Sequence, residues 1–139
     1  MSAEKNRELV LKFYDHMSKL EFDEMFALMA DDATWTVAGN PETFHHSGTH
    51  SKAERAKGFA QFVNVFDSLE MKPLSTTAED DRVAVEARTT CKTHKGLVYE
   101  NEIFTLFRCK DGKIASILEH LDQQTTLAFE RKLRGAANT

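Results

Sequence analysis

Glu119 is an acid on an apolar face. Residues 113–122 alternate in polarity, and the side that carries Glu119 also carries Ile117 and Leu121. A carboxyl set among such neighbours can give a proton to a bound molecule or take one from it. The bland alternative is a partly exposed acid near a strand end. Glu86 and Arg88 alternate with Val83, Val85 and Ala87, and alternation alone sends them, with Thr90, to solvent. Asn101, in Tyr99-Glu100-Asn101, either holds a substrate carbonyl or satisfies a neighbour. His45, His46 and His50 crowd one loop without an acid or cysteine at ligand spacing. They read as loop polars, and no metal is expected. His120 falls on the face opposite Glu119.

The elements that must position these groups follow from periodicity. Residues 3–20 read as a helix, with Leu9, Val10, Phe13, Tyr14, Met17 and Leu20 on one stripe. A shorter helix follows over 22–30, then a strand over 33–38 and a polar loop over 39–50. Ser51 and Glu54 form a capping box that opens a helix to about Leu69, with Ala56, Phe59, Ala60, Val63 and Phe66 inward. From Met71 the period is two, giving strands near 70–79, 82–92, 97–109 and 113–122. A short helix is expected in 123–139, frayed from Gly135. Helices followed by an antiparallel sheet make an α+β fold, one domain over 1–139.

Composition narrows the function. The chain has 139 residues, 41% hydrophobic and 29% charged, which excludes a disordered chain and a disulfide scaffold. Its net charge of −4, with no basic block, argues against nucleic acid. No apolar run reaches membrane length, and the first residues do not read as a secretory signal. Cys91 and Cys109 lack metal spacing and read as buried thiols of a cytoplasmic protein.

Four stretches resemble the SnoaL-like branch of the nuclear transport factor 2-like superfamily. They are Phe26 to Trp35, Ser47 to His50, Tyr99 to Asn101, and Phe107 to Ile114 with Glu119 to Asp122. The resemblance implies a curved sheet wrapped into a cone, helices closing a deep apolar pocket, and homodimers. It also implies a pocket position for Glu86 and Arg88, with the other sheet face at the dimer contact. Val98, Phe104 and Leu106 on the outer side of the long strand agree with a covered face.

A register follows if Gly112 closes a three-residue loop with a bulge, chosen because it matches how relatives aim their pocket residues, and if 93–96 is a four-residue loop. Glu86, Ile103 and Glu119 then share one row, and Arg88, Asn101 and Leu121 the next. The expected pocket wall is Phe13, Met17, Trp35, Val37, Phe59, Val63, Ile103, Thr105, Ile117 and Leu121. Where ketosteroid isomerases carry their tyrosine, base and second acid, this chain has Phe13, Val37 and Thr105, so that reaction is excluded. Limonene-epoxide hydrolases are matched only by Glu86, Arg88 and Glu119 in permuted order, with Trp35 and Val37 where water is held.

The expected function is an enzyme without metal or organic cofactor, acting on an apolar, aromatic or polyketide-like molecule. The reaction is proton transfer beside a carbonyl or hydroxyl: isomerisation, cyclisation or a lyase step. Glu119 is the acid or base, Arg88 the oxyanion stabiliser, Glu86 its orienter and Asn101 the substrate holder. A non-catalytic ligand-binding or interaction module and an epoxide hydrolase-like enzyme are the alternatives.

Overall fold

The computed structural model describes residues 2–137. Helix α1 (Ala3–Ser18) opens at Ser2, whose hydroxyl accepts the Lys5 amide, and buries Asn6, Val10, Phe13, Tyr14 and Met17. Helix α2 (Phe22–Ala27) follows, then strands β1 (Met29–Val37) and β2 (Gly48–Ser51). Helix α3 (Lys52–Ala60) begins with the capping box of Ser51 and Glu54. A 3-10 turn over Phe62–Asn64 leads to β3 (Phe66–Glu79), β4 (Arg82–Thr93), β5 (Val98–Lys110), β6 (Lys113–Leu121) and α4 (Gln123–Ala137).

Several element boundaries correct the sequence reading: α2 ends at Ala27, β1 begins already at Met29, and β2 occupies the end of the segment expected as a loop. The third helix stops at Ala60 rather than near Leu69, because Phe66 is already paired with Thr93 as strand. The C-terminal segment is a helix of 15 residues that includes Gly135, so fraying does not begin there. Asn138 and Thr139 lie outside the described residues. The α4 helix is started by Asp122, whose carboxylate accepts the Gln124 amide (3.1 Å), the Thr125 amide (3.3 Å) and the Thr125 hydroxyl (2.8 Å).

The sheet runs β2-β1-β6-β5-β4-β3, antiparallel except for β1 against β6. Register irregularities in β1, β3 and the β5–β6 pair curl it into an open cone. Helix α1 packs across the concave face, and its buried stripe meets Trp35, Val83, Val85, Phe107 and Ile117 in one core. The α+β class and the cone are as expected.

Register differs at both hairpins. Asp111 (φ 51°) and Gly112 (φ 78°) form a two-residue turn, and the bulge sits inside the strand, between the Arg108–Ser116 and Cys109–Ile114 pairs. Thr105 therefore faces Glu119, and Ile103 faces Leu121. At the other hairpin the Thr93 amide bonds to the Leu97 carbonyl at 2.8 Å, with Gly96 at φ 84°. That is a three-residue loop, one shorter than expected, and it moves β5 by one residue against β4.

Candidate active site

That single-residue shift reassigns two of the four expected catalytic residues. Arg88 pairs with Glu102 and Glu86 with Phe104, on the convex face. Both are exposed. Arg88 donates to Glu102 at 3.3 Å, and Glu86 accepts the Ser75 hydroxyl at 3.0 Å. The expected row of Glu86, Ile103 and Glu119 does not form. The row that does form is Val37, Glu119, Thr105 and Val85.

Asn101 is buried, but its amide is consumed. Nδ2 lies 2.7 Å from the Tyr99 hydroxyl, 2.9 Å from the Asp122 carbonyl and 3.2 Å from the Thr126 hydroxyl. Its Oδ1 accepts the Glu102 amide at 2.7 Å. With both hydrogens and the oxygen committed, Asn101 ties β5 to the start of α4 instead of facing a substrate.

Glu119 does face an interior cavity of about 190 Å³ between α1, α3 and the concave sheet. Phe13, Met17, Trp35, Phe59, Ile103, Thr105, Ile117 and Leu121 line it, as the alternation of each element requires. Two expected wall residues do not. Val37 is buried in the core beside the cavity, and Val63 is 46% exposed, because the 3-10 turn that replaces the expected helix puts Phe62 on the cavity wall instead.

Polar groups converge on this space. Glu119 Oε1 accepts the Trp35 Nε1 proton at 3.0 Å, and Oε2 has no hydrogen-bond partner among the described residues. The Arg55 guanidinium lies over the Trp35 ring, 4.2 Å from its centroid, and 5.3 Å from that of Phe59. Arg55 Nε is buried without a partner. Burial lowers the Arg55 pKa below its ordinary value, and the nearby Glu119 charge pushes it back up. The Tyr14 hydroxyl is also buried and unpartnered, with Thr105 beside it outside hydrogen-bonding geometry. Burial holds the Tyr14 phenol far above its ordinary range, and Glu119 adds to this. Cys91, on the wall, is pushed up to about 11 by burial, so it is a thiol and not a nucleophile.

Arg55 and Tyr14 were not among the expected site residues, though the sequence carries a signal for each. Tyr14 stands on the buried stripe of α1. Arg55 stands four residues before Phe59, on the same face of α3.

A groove of about 510 Å³ adjoins the cavity and shares Arg55, Phe59 and Phe62 with it, so these side chains form the partition. His45, His46 and His50 line the groove's far side. Contrary to expectation, His45 and His46 do have an acid partner: Glu130 of α4. An apolar groove of about 400 Å³ beneath the end of α4 is lined by His94 but no acid, and two open clefts on the sheet's outer side carry Arg88 with Asn101 and Arg88 with Glu86, so Glu119 is set apart by its apolar, aromatic surroundings.

Residues 10–117 match the model of the SnoaL-like domain. The chain belongs to the SnoaL-like domain family. No curated protein matches it. Among solved structures, this SnoaL-like chain is similar to PrhC from Penicillium brasilianum, with a TM-score of 0.87 and 17% identity over 97% of this chain and 91% of that one. BvnE pinacolase from Penicillium brevicompactum is similar with a TM-score of 0.84 and 13% identity, covering 96% and 97%. A putative polyketide cyclase from Xanthomonas campestris gives 0.77 and 19%, covering 91% and 96%. At these identities the likeness establishes the NTF2-like cone and leaves chemistry to the site itself.

Proposed function

We propose that this protein is a small-molecule enzyme that moves a proton beside a carbonyl or hydroxyl of a compact aromatic substrate, with Glu119 as the acid or base. The observation that carries the reading is the free Oε2 of Glu119 inside an aromatic cavity that also holds two unpartnered donors, Arg55 Nε and the Tyr14 hydroxyl. A substrate oxygen would satisfy one of those donors, and Arg55 takes the oxyanion-stabilising role first given to Arg88. A cavity of about 190 Å³ suits one ring, since an apolar cavity of roughly 150 Å³ is known to hold benzene. The remainder of a larger, polyketide-like substrate would extend past Arg55 and Phe59 into the groove. The names of the similar structures, a pinacolase and a putative polyketide cyclase, agree with isomerase-, lyase- or cyclase-type chemistry. The epoxide hydrolase alternative rested on Glu86, Arg88 and Glu119 meeting, and the first two are on the opposite sheet face.

The test uses aryl ketones and phenols of one or two rings in deuterated water. Trp35 is the only tryptophan, so its fluorescence reports occupancy of the cavity. Proton NMR then follows loss of the hydrogen beside the carbonyl. Exchange faster than in buffer is expected for at least one bound ketone. Binding across the panel with no accelerated exchange would favour the non-catalytic module.

The convex face supports a homodimer. Val98, Phe104 and Leu118 are 47%, 54% and 37% exposed there, and Leu106 lies between the last two. A two-fold contact centred on Phe104, Leu106 and Leu118 is proposed, with Val98 further along β5 beyond Glu100 and Glu102, and light scattering is expected to give the mass of two chains. A monomer at high micromolar concentration would refute it. Two buried free thiols fit the cytoplasm as its location. Among the described residues, no helix is long and apolar enough to cross a membrane.

A further inference from the structure

The β1–β2 connection and α4 bring together the side chains of His45, His46 and Glu130. Phe44, 1% exposed, anchors the connection, and the next two residues are His45 and His46. From α4, Phe129 is buried between Phe66 and Tyr99, which fixes the turn that carries Glu130. His45 Nε2 lies 3.1 Å from Glu130 Oε1, and His46 Nε2 lies 3.0 Å from Oε2. The two imidazole rings are 3.9 Å apart at their centroids, and one ligand atom from each of the three residues lies within 4.8 Å of the others. Burial raises the Glu130 carboxyl pKa, but the hydrogen bonds from both histidines outweigh this and hold it below its ordinary value.

We propose that His45, His46 and Glu130 form a binding site for one divalent transition ion of the zinc class. Two imidazole nitrogens with one carboxylate oxygen suit zinc, nickel or copper and are poor ligands for magnesium or calcium. Metal–ligand bonds of about 2.0–2.2 Å put tetrahedral donor atoms roughly 3.3 Å apart; the nitrogen–carboxylate distances of 3.1 and 3.0 Å are near this, and the three donor atoms, now within 4.8 Å of one another, need only draw together. Small movements would let one ion take the place of the two hydrogen bonds to the carboxylate, each neutral imidazole then carrying its proton on Nδ1. Three protein ligands leave a coordination position open, the arrangement of a reactive or ligand-binding metal rather than a purely structural one. His45 and His46 line the groove that adjoins the cavity, so the ion would sit where the outer part of a substrate passes. His50 is outside the set, since its Nε2 lies 3.2 Å from the His46 carbonyl and it steadies the loop. This site does not depend on the assignment of Glu119.

Isothermal titration calorimetry of the full chain with zinc chloride tests the proposal. One zinc per chain with micromolar or tighter affinity is expected, and no heat with magnesium chloride. His46→Ala and Glu130→Gln should each weaken zinc by at least about tenfold with far-ultraviolet dichroism unchanged. His94→Ala, at the separate histidine–carboxylate pair with Asp67, should leave affinity unchanged. Cobalt substitution should give visible absorption lost in Glu130→Gln. If Glu130→Gln fails to fold, loss of zinc binding in a folded His46→Ala, with His94→Ala unaffected, carries the conclusion. Absence of zinc binding in the wild type, or affinity indifferent to His46 and Glu130, overturns it.

Discussion

Glu119→Gln is expected to lower turnover by about 10²–10⁴-fold on a confirmed substrate, the usual contribution of one positioned acid or base. The change isolates the proton. Glutamine has nearly the same volume, and its amide oxygen still accepts the Trp35 Nε1 hydrogen that fixes Oε1 at 3.0 Å. Arg55 loses a nearby charge but no direct bond, because its guanidinium is held over the Trp35 and Phe59 rings. Tm and the Trp35-monitored ligand affinity should therefore stay close to wild type, so that the loss appears in kcat. Turnover within a few-fold of wild type would remove Glu119 from the mechanism. A loss confined to KM would make it an anchor.

Glu119 was legible because its face depends only on alternation within its own strand. Beyond the bulge, the expected loop at Gly112 and the observed tight turn differ by two residues in pairing, so the side chains of β6 from Ser116 onward keep their side of the sheet. For Glu86 and Arg88 alternation within β4 was equally sound, and the pocket position came from the resemblance and from the assumed loop at 93–96. A three-residue loop in place of four is an odd shift, and it carries the pair to the convex face. Alternation with Val83, Val85 and Ala87 already pointed there, and the resemblance to the family pointed the other way. Loop length is set by Thr93, whose hydroxyl accepts the Leu97 amide at 3.0 Å, and by the left-handed Gly96. That contact is not written in hydrophobic period. Glu130 was illegible for another reason. It meets His45 across 85 positions, and only the folded arrangement of sheet and α4 places the two side by side. Asn101 shows the limit of residue type as a guide, since a buried amide reads the same in sequence whether its partners are substrate or protein.

Phe13→Ala is expected to destabilise the protein by about 3–5 kcal/mol, and Val63→Ala by no more than about 0.5 kcal/mol. Both residues were expected on the pocket wall, so the pair measures how far placement governs energy. Phe13 is fully buried and touches three rings, with centroid distances of 6.1 Å to Tyr14, 5.8 Å to Trp35 and 5.7 Å to Phe107. Its loss removes the transfer energy of a buried ring and these edge contacts, and leaves space that the β-sheet and α1 cannot close without breaking register. In a chain of 139 residues that corresponds to a fall in Tm of roughly 10–20 °C. Val63 lies on the 3-10 turn with nearly half of its surface in water. Thermal or urea unfolding compares the two directly. A Phe13→Ala cost below about 1.5 kcal/mol would mean that the core already relaxes around the cavity. A Val63→Ala cost approaching that of Phe13→Ala would mean that α3 continues through Val63 and that Phe62 has lost its place on the wall.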